Sequence, residues 1–407
     1  MFRLSSGLFF SPCLESACSS AYSSSASRFK TGIVMINMGG PETANDVPNF
    51  LLRLFSDKEI FDMPAQSLLA RWVAKRRSPK VIRQYNEIGG GSPLMHWTKQ
   101  QGAHMIRYLD ELSPHTGRST ICNDGVERVV AFSQYPQFSC TTSGSSFNTI
   151  ARHYLAGENG GSFTGVERIQ SPPMKNGVPT AIWSFIDRWP AATPLVAAFA
   201  QLIKQQLDAI EDPVERANTV LLFSAHSIPI SVVDRGDPYP QEVAATVHAV
   251  MSLLNFAWPY RLVWQSKVGP VAWLGPSTKS ALSGLARLGY RHAMLIPIAF
   301  TSDHIETLHE MDIQYCTELA NKVGMVRVHR APALNDNEIF IKGLADIVAK
   351  HLKVGESCTK QFWLRCPMCT NPGCATTRKF LSDGAERLSQ WTLENSADVE
   401  RIRERKK

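Results

Sequence analysis

The feature that most constrains the fold is a regular alternation of strand and helix signals between residues 220 and 352. Four apolar runs are typical of buried strands: VLLFSAH, YRLVWQS, HAMLIPIAF and MVRVHR. Amphipathic segments predict helices at about 240–256, 277–288, 305–323 and 336–352. This alternation indicates a doubly wound parallel sheet with helices on both faces, whose ligands bind beyond the carboxyl ends of the strands.

A second set of strand and helix signals precedes residue 190. The segments TGIVMINMGGPE, VERVVAFSQYP and TAIWSFIDRWP predict strands, and SSFNTIARHYL predicts a helix. Only STICNDG separates the helix that ends near ELSPHTG from the next strand. Adjacent parallel strands need a crossover of about a dozen residues or more, so we expect this sheet to be one strand short or unusually connected.

Length and charge limit the classes of protein that fit. The chain has 407 residues, enough for two domains, and a net charge of +7, which alone does not indicate a nucleic-acid partner. It contains no run of eighteen apolar residues, so no membrane-spanning helix is predicted.

The first thirty residues are rich in Ser, carry three cations and have Glu15 as their only acid. This composition resembles a mitochondrial transit peptide, and a disordered Ser-rich tail is the alternative. An oxidising compartment is not implied, so the other cysteines are interpreted as thiols or ligands before disulfides.

Ionisable side chains follow three of the predicted strands. His226, then Ser266 with Lys267, and then the segment 301–306 all lie at carboxyl ends, where they can converge. Imidazole titrates near neutral pH, so His226 is a candidate general base; a core histidine bonded to the backbone is the alternative.

The predicted helix after residue 304 carries a row of polar residues. Glu306, Glu310 and Gln314 are four residues apart and share one face, with His304 just before the first turn. Such a face could pass protons or a cation. A solvated face with an acid in its first turn is the alternative.

Two further segments favour ligand contact. Residues 65–85 interleave Leu68, Leu69 and Trp72 with six cations, a pattern that suits an anionic membrane surface or an amphipathic anionic ligand. A solvated basic helix is the alternative. Met38, at a Gly-Gly-Pro turn, could lie against a flat ring or belong to the core.

The array CPMCTNPGC predicts a metal site that lacks one ligand. Cys366, Cys369 and Cys374 have C-x₂-C-x₄-C spacing. Zinc and an iron–sulfur cluster are both compatible with this spacing. Cys140, in a turn after a strand, could be reactive, ligating or simply buried.

Eight motifs together resemble the ferrochelatase family in its mitochondrial, animal-type form. In chain order they are NMGGPE, AKRRSPK, QYPQFSC, SAHSIP, RGDPYP, WQSKVGP, WLGP and AFTSDHIET. The resemblance covers about residues 31–380 except for two patches. It implies insertion of Fe²⁺ into protoporphyrin IX with release of two protons, in a cleft between two Rossmann-like, chelatase-like domains. It also implies a homodimer in peripheral contact with the matrix side of the anionic mitochondrial inner membrane.

The resemblance also implies roles for individual residues. His226 matches the family's proton acceptor. Glu306 matches the partner of that histidine, and His304 lies beside it in the sequence motif. Glu310 matches the next acid along a path for protons or metal, and Gln314 replaces the third acid of that path. Residues that match the porphyrin-binding positions are Met38, Arg77, Tyr85, Trp273 and Phe300. Residues that match the ligands of a [2Fe–2S] cluster are Cys140, Cys366, Cys369 and Cys374.

The resemblance divides the chain into five parts. They are a transit peptide at 1–30, an N-terminal Rossmann-like domain with a membrane-facing lip at 31–190, a C-terminal one at 191–355, a cluster-binding extension at 356–380 and a charged tail at 381–407.

The chain departs from the family pattern in two places. One is a shortening near 115–125, where the family has a strand and helix, and the other is an inserted loop near 156–180. A catalytically impaired homologue that binds porphyrin or serves as an interaction module is therefore the alternative function.

Overall fold

The computed structural model describes residues 31–60, 63, 65–112, 126, 128–155 and 181–384. It also describes two short antiparallel pairs, 2–3 with 9–10 and 174–175 with 178–179. Apart from those pairs, the predictions for the transit peptide, the shortened stretch near 115–125 and the inserted loop lie outside the described residues. So does the tail beyond residue 384.

The N-terminal sheet is parallel and, within the described residues, has three strands. Its strands lie in the order β1 (Thr31–Ile36), β2 (Arg128–Ser133) and β3 (Ile182–Ile186). Both β2 and β3 are buried along their whole length. Its helices are α1 (Val47–Ser56), α2 (Gln66–Glu87), α3 (Leu94–Leu112) and α4 (Ser145–Leu155), the last preceded by a short π-helical turn at Cys140–Gly144.

The second sheet, within residues 181–384, has four parallel strands. These are β4 (Val220–His226), β5 (Tyr260–Gln265), β6 (His292–Ile296) and β7 (Arg327–Arg330), in the spatial order β7-β6-β4-β5. The predicted α/β fold with parallel sheets is confirmed. Continuous apolar runs identified these strands because a parallel strand covered on both faces has no polar side to present.

The helices of this half lie before, between and after these strands in the chain. They are α5 (Thr193–Asp208), α6 (Pro213–Asn218), α7 (Ile230–Asp234), α8 (Tyr239–Leu253), α9 (Thr278–Arg287), α10 (Ala320–Val323), α11 (Glu338–Val354), α12 (Lys360–Trp363) and a helix at 373–384. None of the helices in the described ranges has the length and apolar character needed to cross a bilayer.

The segment predicted as an α-helix at 305–323 differs from expectation. Glu306–Leu319 is a π-helix, and only the last turn, α10, is α-helical. The side chain of Thr317 donates to the carbonyl oxygen of Asp312, five residues earlier, at 2.9 Å. Residues four apart lie near one another in both helix types, so sequence periodicity does not separate them. π-Helical segments are rare and frequently occur at functional sites.

The largest apolar core lies between the two sheets. It joins Phe132 of β2 to Phe223 of β4 through side chains of α5, α8 and α11. Helix α11 approaches α5 closely, because Gly343 faces the ring of Pro194. This packing fixes the two sheets relative to each other, and therefore the side chains at their carboxyl ends.

Gly343→Ala should lower the free energy of unfolding by about 1–3 kcal/mol, the usual cost of overpacking. A methyl group there would lie 2.1 Å from Cβ of Pro194. The matched control is Gly284→Ala in α9, where the nearest other atom is 3.9 Å from the added carbon. That change should stabilise by about 0.5–1 kcal/mol, because alanine is the better helix former. Urea unfolding of both variants measures this; equal effects would contradict the packing argument.

Candidate active site

The carboxyl ends of both sheets face one cavity. Asn37 follows β1, Gln134 and Tyr135 follow β2, and Thr301 lies beyond β6; all of them line this cavity. Thr301 donates a hydrogen bond to the carbonyl oxygen of Gln134 at 3.2 Å, which joins the two walls. The predicted convergence of polar residues at strand ends therefore extends across both sheets.

His226, the last residue of β4, is half-buried at this edge. Its Nδ1 lies within hydrogen-bond distance of the carbonyl oxygen of Ser227. A carbonyl can only accept, so Nδ1 carries the hydrogen and Nε2 of the neutral ring keeps its lone pair. That Nε2 lies 3.6 Å from Oε1 of Glu306.

His304 repeats the same arrangement on the other side of Glu306. Its Nδ1 is 3.1 Å from the carbonyl oxygen of Ser302, and its Nε2 is 3.9 Å from Oε2 of Glu306. Burial lowers the pKa of His304 because it disfavours the charged ring, although Glu306 acts in the opposite direction. His304 is therefore a neutral acceptor near neutral pH.

Glu306 thus lies between two imidazole nitrogens that each present a lone pair. Its Oε2 is buried and has no hydrogen-bond partner among the described residues. A buried carboxylate oxygen without a donor is costly, and binding a proton or a cation removes that cost. The three side chains together form a site for one additional positive charge.

Apolar rings border this charged cluster. The ring of Trp273 lies 6.3 Å from that of His226, and the ring of Phe300 lies 4.8 Å from that of His304. Met38, half-buried after β1, donates its backbone N–H to the hydroxyl of Tyr135 at 2.8 Å. Met38, Trp273 and Phe300, all predicted to contact a flat ligand, come from three separate parts of the chain. The structure brings the side-chain rings of Trp273 and Phe300 next to the two histidines.

Tyr85 and Arg77 belong to α2. Burial, assisted by the charge of Glu306, raises the pKa of the Tyr85 hydroxyl. Tyr85 belongs to the apolar cluster against which Ile305, the neighbour of Glu306 in the chain, packs. Arg77 is half-buried, with its guanidinium 5.7 Å from the centre of the Phe55 ring. We call the α1–α2 pair the lip hairpin (Val47–Glu87). Within it, Arg77 of α2 contacts Phe55 of α1.

Glu310 is held by hydrogen bonds at the end of β5 and within the π-helix. Its Oε1 accepts from the backbone N–H of Ser266 at 3.0 Å and from the hydroxyl of Tyr315 at 2.6 Å. Its Oε2 accepts from the Ser266 hydroxyl and from the Gln265 amide. Ser266 has a left-handed backbone with φ of 64°, which directs its N–H at the carboxylate. Glu310 therefore anchors the π-helix to the end of β5.

Sequence reasoning missed several tyrosines at the site. Burial, with a contribution from the charge of Glu306, raises the pKa of Tyr135, Tyr239 and Tyr315. Tyr135 follows β2 directly, so the rule about strand ends could have identified it. Tyr315 could not be found in this way, because its part in the site depends on its contact with Glu310.

The four cysteines expected to ligate a metal line a second cavity. Cys140, Cys366, Cys369 and Cys374 surround it, with Arg235 and Arg378 among the other lining residues. Burial raises the pKa of the Cys140 and Cys374 thiols. In the described ranges, no three His, Cys, Asp or Glu side chains are close enough together to hold a single metal ion.

Two parallel sheets that bring a carboxylate and two histidines beside apolar rings define an α/β protein with ionisable side chains at the carboxyl ends of its strands. Comparison with known proteins identifies the family. A family model for ferrochelatase matches residues 30–352. The chain is 50% identical over 371 residues to the mitochondrial ferrochelatase of Xenopus laevis, covering 87% of this chain and 86% of that one.

Two further relatives give the same result. The mitochondrial ferrochelatase of Homo sapiens is 49% identical over 372 residues, covering 87% of this chain and 83% of the relative. That of Drosophila melanogaster is 44% identical over 370 residues, covering 86% and 91%. The chain therefore belongs to the ferrochelatase family, the enzymes that insert Fe²⁺ into porphyrin in haem synthesis. The shortened stretch that suggested an impaired homologue lies outside the described residues.

Proposed function

We propose that haem forms at the cluster of His226, Glu306 and His304, which removes protons from protoporphyrin IX as Fe²⁺ enters. The observation that carries this proposal is the position of Glu306, within 3.6 Å of one imidazole Nε2 and 3.9 Å of the other. Both Nε2 atoms are free to accept because both Nδ1 atoms bond to carbonyl oxygens.

The proton balance follows from these roles. Each of two pyrrole N–H bonds breaks, its electron pair stays on nitrogen and becomes a ligand of Fe²⁺, and its proton moves to the protein. Nε2 of His226 accepts first, and the imidazolium that forms is stabilised by the Glu306 carboxylate. The proton then passes through Glu306 and His304 to water, which leaves His226 able to accept the second one.

The surrounding residues orient the porphyrin in this proposal. Met38, Trp273 and Phe300 supply apolar contact to the macrocycle. Arg77 meets a propionate, since a guanidinium suits a carboxylate, and Tyr85 supports the rim. Glu310 follows Glu306 as the second acid of the row on this helix. Its hydrogen bonds to Ser266 and Tyr315 support a role in holding the π-helix in place.

His226→Ala should lower the rate of haem formation from Fe²⁺ and protoporphyrin IX by about 10²–10⁴-fold, the usual contribution of a general base. Glu306→Gln should lower it too, because the amide cannot stabilise an imidazolium. The control is His248→Ala, which removes an exposed histidine whose ring lies beside that of Phe256. Anaerobic initial rates measure the effect, and a His226→Ala enzyme within threefold of the parent would overturn the proposal.

We also propose that Cys140, Cys366, Cys369 and Cys374 hold a [2Fe–2S] cluster, in an extension at 356–380 attached to Rossmann-like domains at 31–190 and 191–355. Four thiols around one cavity are the donor set that such a cluster needs. A binuclear cluster spreads its thiolates over two irons, so it does not need all four around one point, as zinc does. When bound, the cluster would link the extension to the turn at Cys140 and could accept one electron.

Protein purified anaerobically should contain about two irons and two sulfides per chain, with visible absorption that is lost in Cys140→Ser and Cys369→Ser. The control is Cys316→Ser, which removes a thiol from the π-helix, away from this cavity. Stoichiometric zinc without sulfide would replace the cluster assignment with the zinc site, and retention of the cluster in Cys140→Ser would remove Cys140 from the ligand set.

The relatives are named as mitochondrial, and we infer the same location here, on the matrix side of the inner membrane. The lip hairpin supports membrane contact: the side chains of Leu68 and Trp72 are 70% and 59% exposed. Arg71, Lys75 and Arg76 are exposed beside them. Apolar anchors among cations suit an anionic bilayer surface.

A homodimer is also part of this proposal. Trp363, Leu364 and Met368 expose apolar surface on the extension, which supports association there. Light scattering that gives the mass of one chain at micromolar concentration would refute the dimer.

Leu68→Ala with Trp72→Ala should weaken binding to vesicles that contain anionic phospholipid by about tenfold, because it removes two apolar side chains worth about 1–2 kcal/mol between them at an interface. Raising the salt concentration should weaken the binding of the unsubstituted protein to these vesicles, because salt screens the attraction between the cations and the anionic lipid. The control is Leu288→Ala, which removes a side chain that is 77% exposed on another surface. Unchanged sedimentation of the double variant with vesicles would contradict membrane contact through the lip.

A further inference from the structure

The carboxyl end of α2 meets the π-helix through a polar contact and an apolar one. Nε2 of His309 donates to Oε2 of Glu87, the last residue of α2, at 2.6 Å. Ile305, immediately before the π-helix, packs against the apolar cluster of the lip hairpin. The lip hairpin and the helix that carries Glu306 are therefore joined by residues 222 positions apart in the chain.

Glu87 and His309 satisfy each other's electrostatic needs. A carboxylate in the last turn of a helix faces the negative end of the helix dipole. The side chain of His309 is only 6% exposed, so its ring nitrogen needs a partner inside the protein. The Nε2–H of His309 donates to the Glu87 carboxylate and meets both requirements.

We propose that Glu87 and His309 are positioning residues that hold the π-helix where Glu306 faces His226. His309 lies three residues after Glu306, in the same helical turn, so a shift at one residue moves the other. Neither residue is part of the cluster that handles protons. They act on it through the backbone of the π-helix.

The geometry at Glu306 makes this restraint matter. Its Oε1 lies 3.6 Å from Nε2 of His226. Proton transfer takes place over about 2.6–3.2 Å between heavy atoms, so a movement well below 1 Å decides whether Glu306 can stabilise or relieve the imidazolium. All five residues proposed to bind porphyrin lie outside the π-helix: Met38, Trp273 and Phe300 in other segments, and Arg77 and Tyr85 in α2, where the packing of α1 against α2 also holds them. Loss of the pair should therefore affect kcat more than the KM for porphyrin.

The test is a double-mutant cycle on haem formation with Glu87→Ala, His309→Phe and the double variant. Each single variant should lower kcat by about three- to tenfold, with porphyrin KM within twofold, and the double variant should be no slower than the slower single one. His309→Gln keeps an N–H donor for Glu87, and Glu87→Gln keeps an oxygen acceptor for His309, so each should recover part of the loss. The matched control is Glu338→Ala, which removes an exposed carboxylate paired with Lys342 at 2.6 Å.

Three results would overturn the inference. The first is an unchanged kcat in Glu87→Ala with only a lower melting temperature, which would make the pair a purely structural contact. The second is single effects that multiply in the double variant, and the third is an equal loss in Glu338→Ala. Glu87 is 54% exposed, so Glu87→Ala alone carries the test if His309→Phe does not fold. The inference rests on the proposed role of Glu306; measuring Glu306→Gln alongside separates the two, because full activity there refutes that role whatever Glu87→Ala does.

Discussion

The site depends on one electrostatic arrangement: a half-buried carboxylate placed between two imidazole rings whose hydrogens point away from it. The carbonyl oxygens of Ser227 and Ser302 fix the Nδ1–H form of His226 and His304. Glu306 consequently faces two lone pairs, with its Oε2 lacking a hydrogen-bond partner among the described residues. Three acceptors held together favour binding of a proton, and insertion of Fe²⁺ into a porphyrin releases two protons.

The fold creates this arrangement by directing two parallel sheets at one cavity. His226 ends β4, while Glu306 and His304 follow β6 at the beginning of the π-helix. The core between the sheets prevents the walls from separating, and the close packing of Gly343 on Pro194 sets part of that spacing. At its sides the π-helix is held by Glu310 on Ser266 and by His309 on Glu87. The Glu306 carboxylate, to which we assign a catalytic role, is thus at the end of an element restrained by contacts with β5 and α2.

The sequence predicted the strands and their terminal residues, because each signal is local. A strand covered on both faces is a continuous apolar run, and the residue after it lies at the sheet edge. This reasoning predicted that His226, His304 and Glu306 converge, and the structure places Glu306 3.6 Å from His226 and 3.9 Å from His304. It did not find the π-helix, since residues four apart are neighbours in either helix type. The surroundings of Glu310 were also missed, because they depend on the left-handed backbone of Ser266. No sequence pattern links Glu87 to His309.

The tautomers of His226 and His304 test most directly whether this cluster can accept protons. Protein labelled with ¹⁵N in histidine can be examined by two-bond ¹H–¹⁵N NMR at about pH 8, above the ordinary titration range of imidazole, with His226→Asn and His304→Asn used to assign the signals. We predict that both rings are neutral, with the hydrogen on Nδ1 and a bare Nε2. A hydrogen on Nε2 of either ring would mean that Glu306 already has a donor, and would contradict the proposal that the cluster is ready to accept protons.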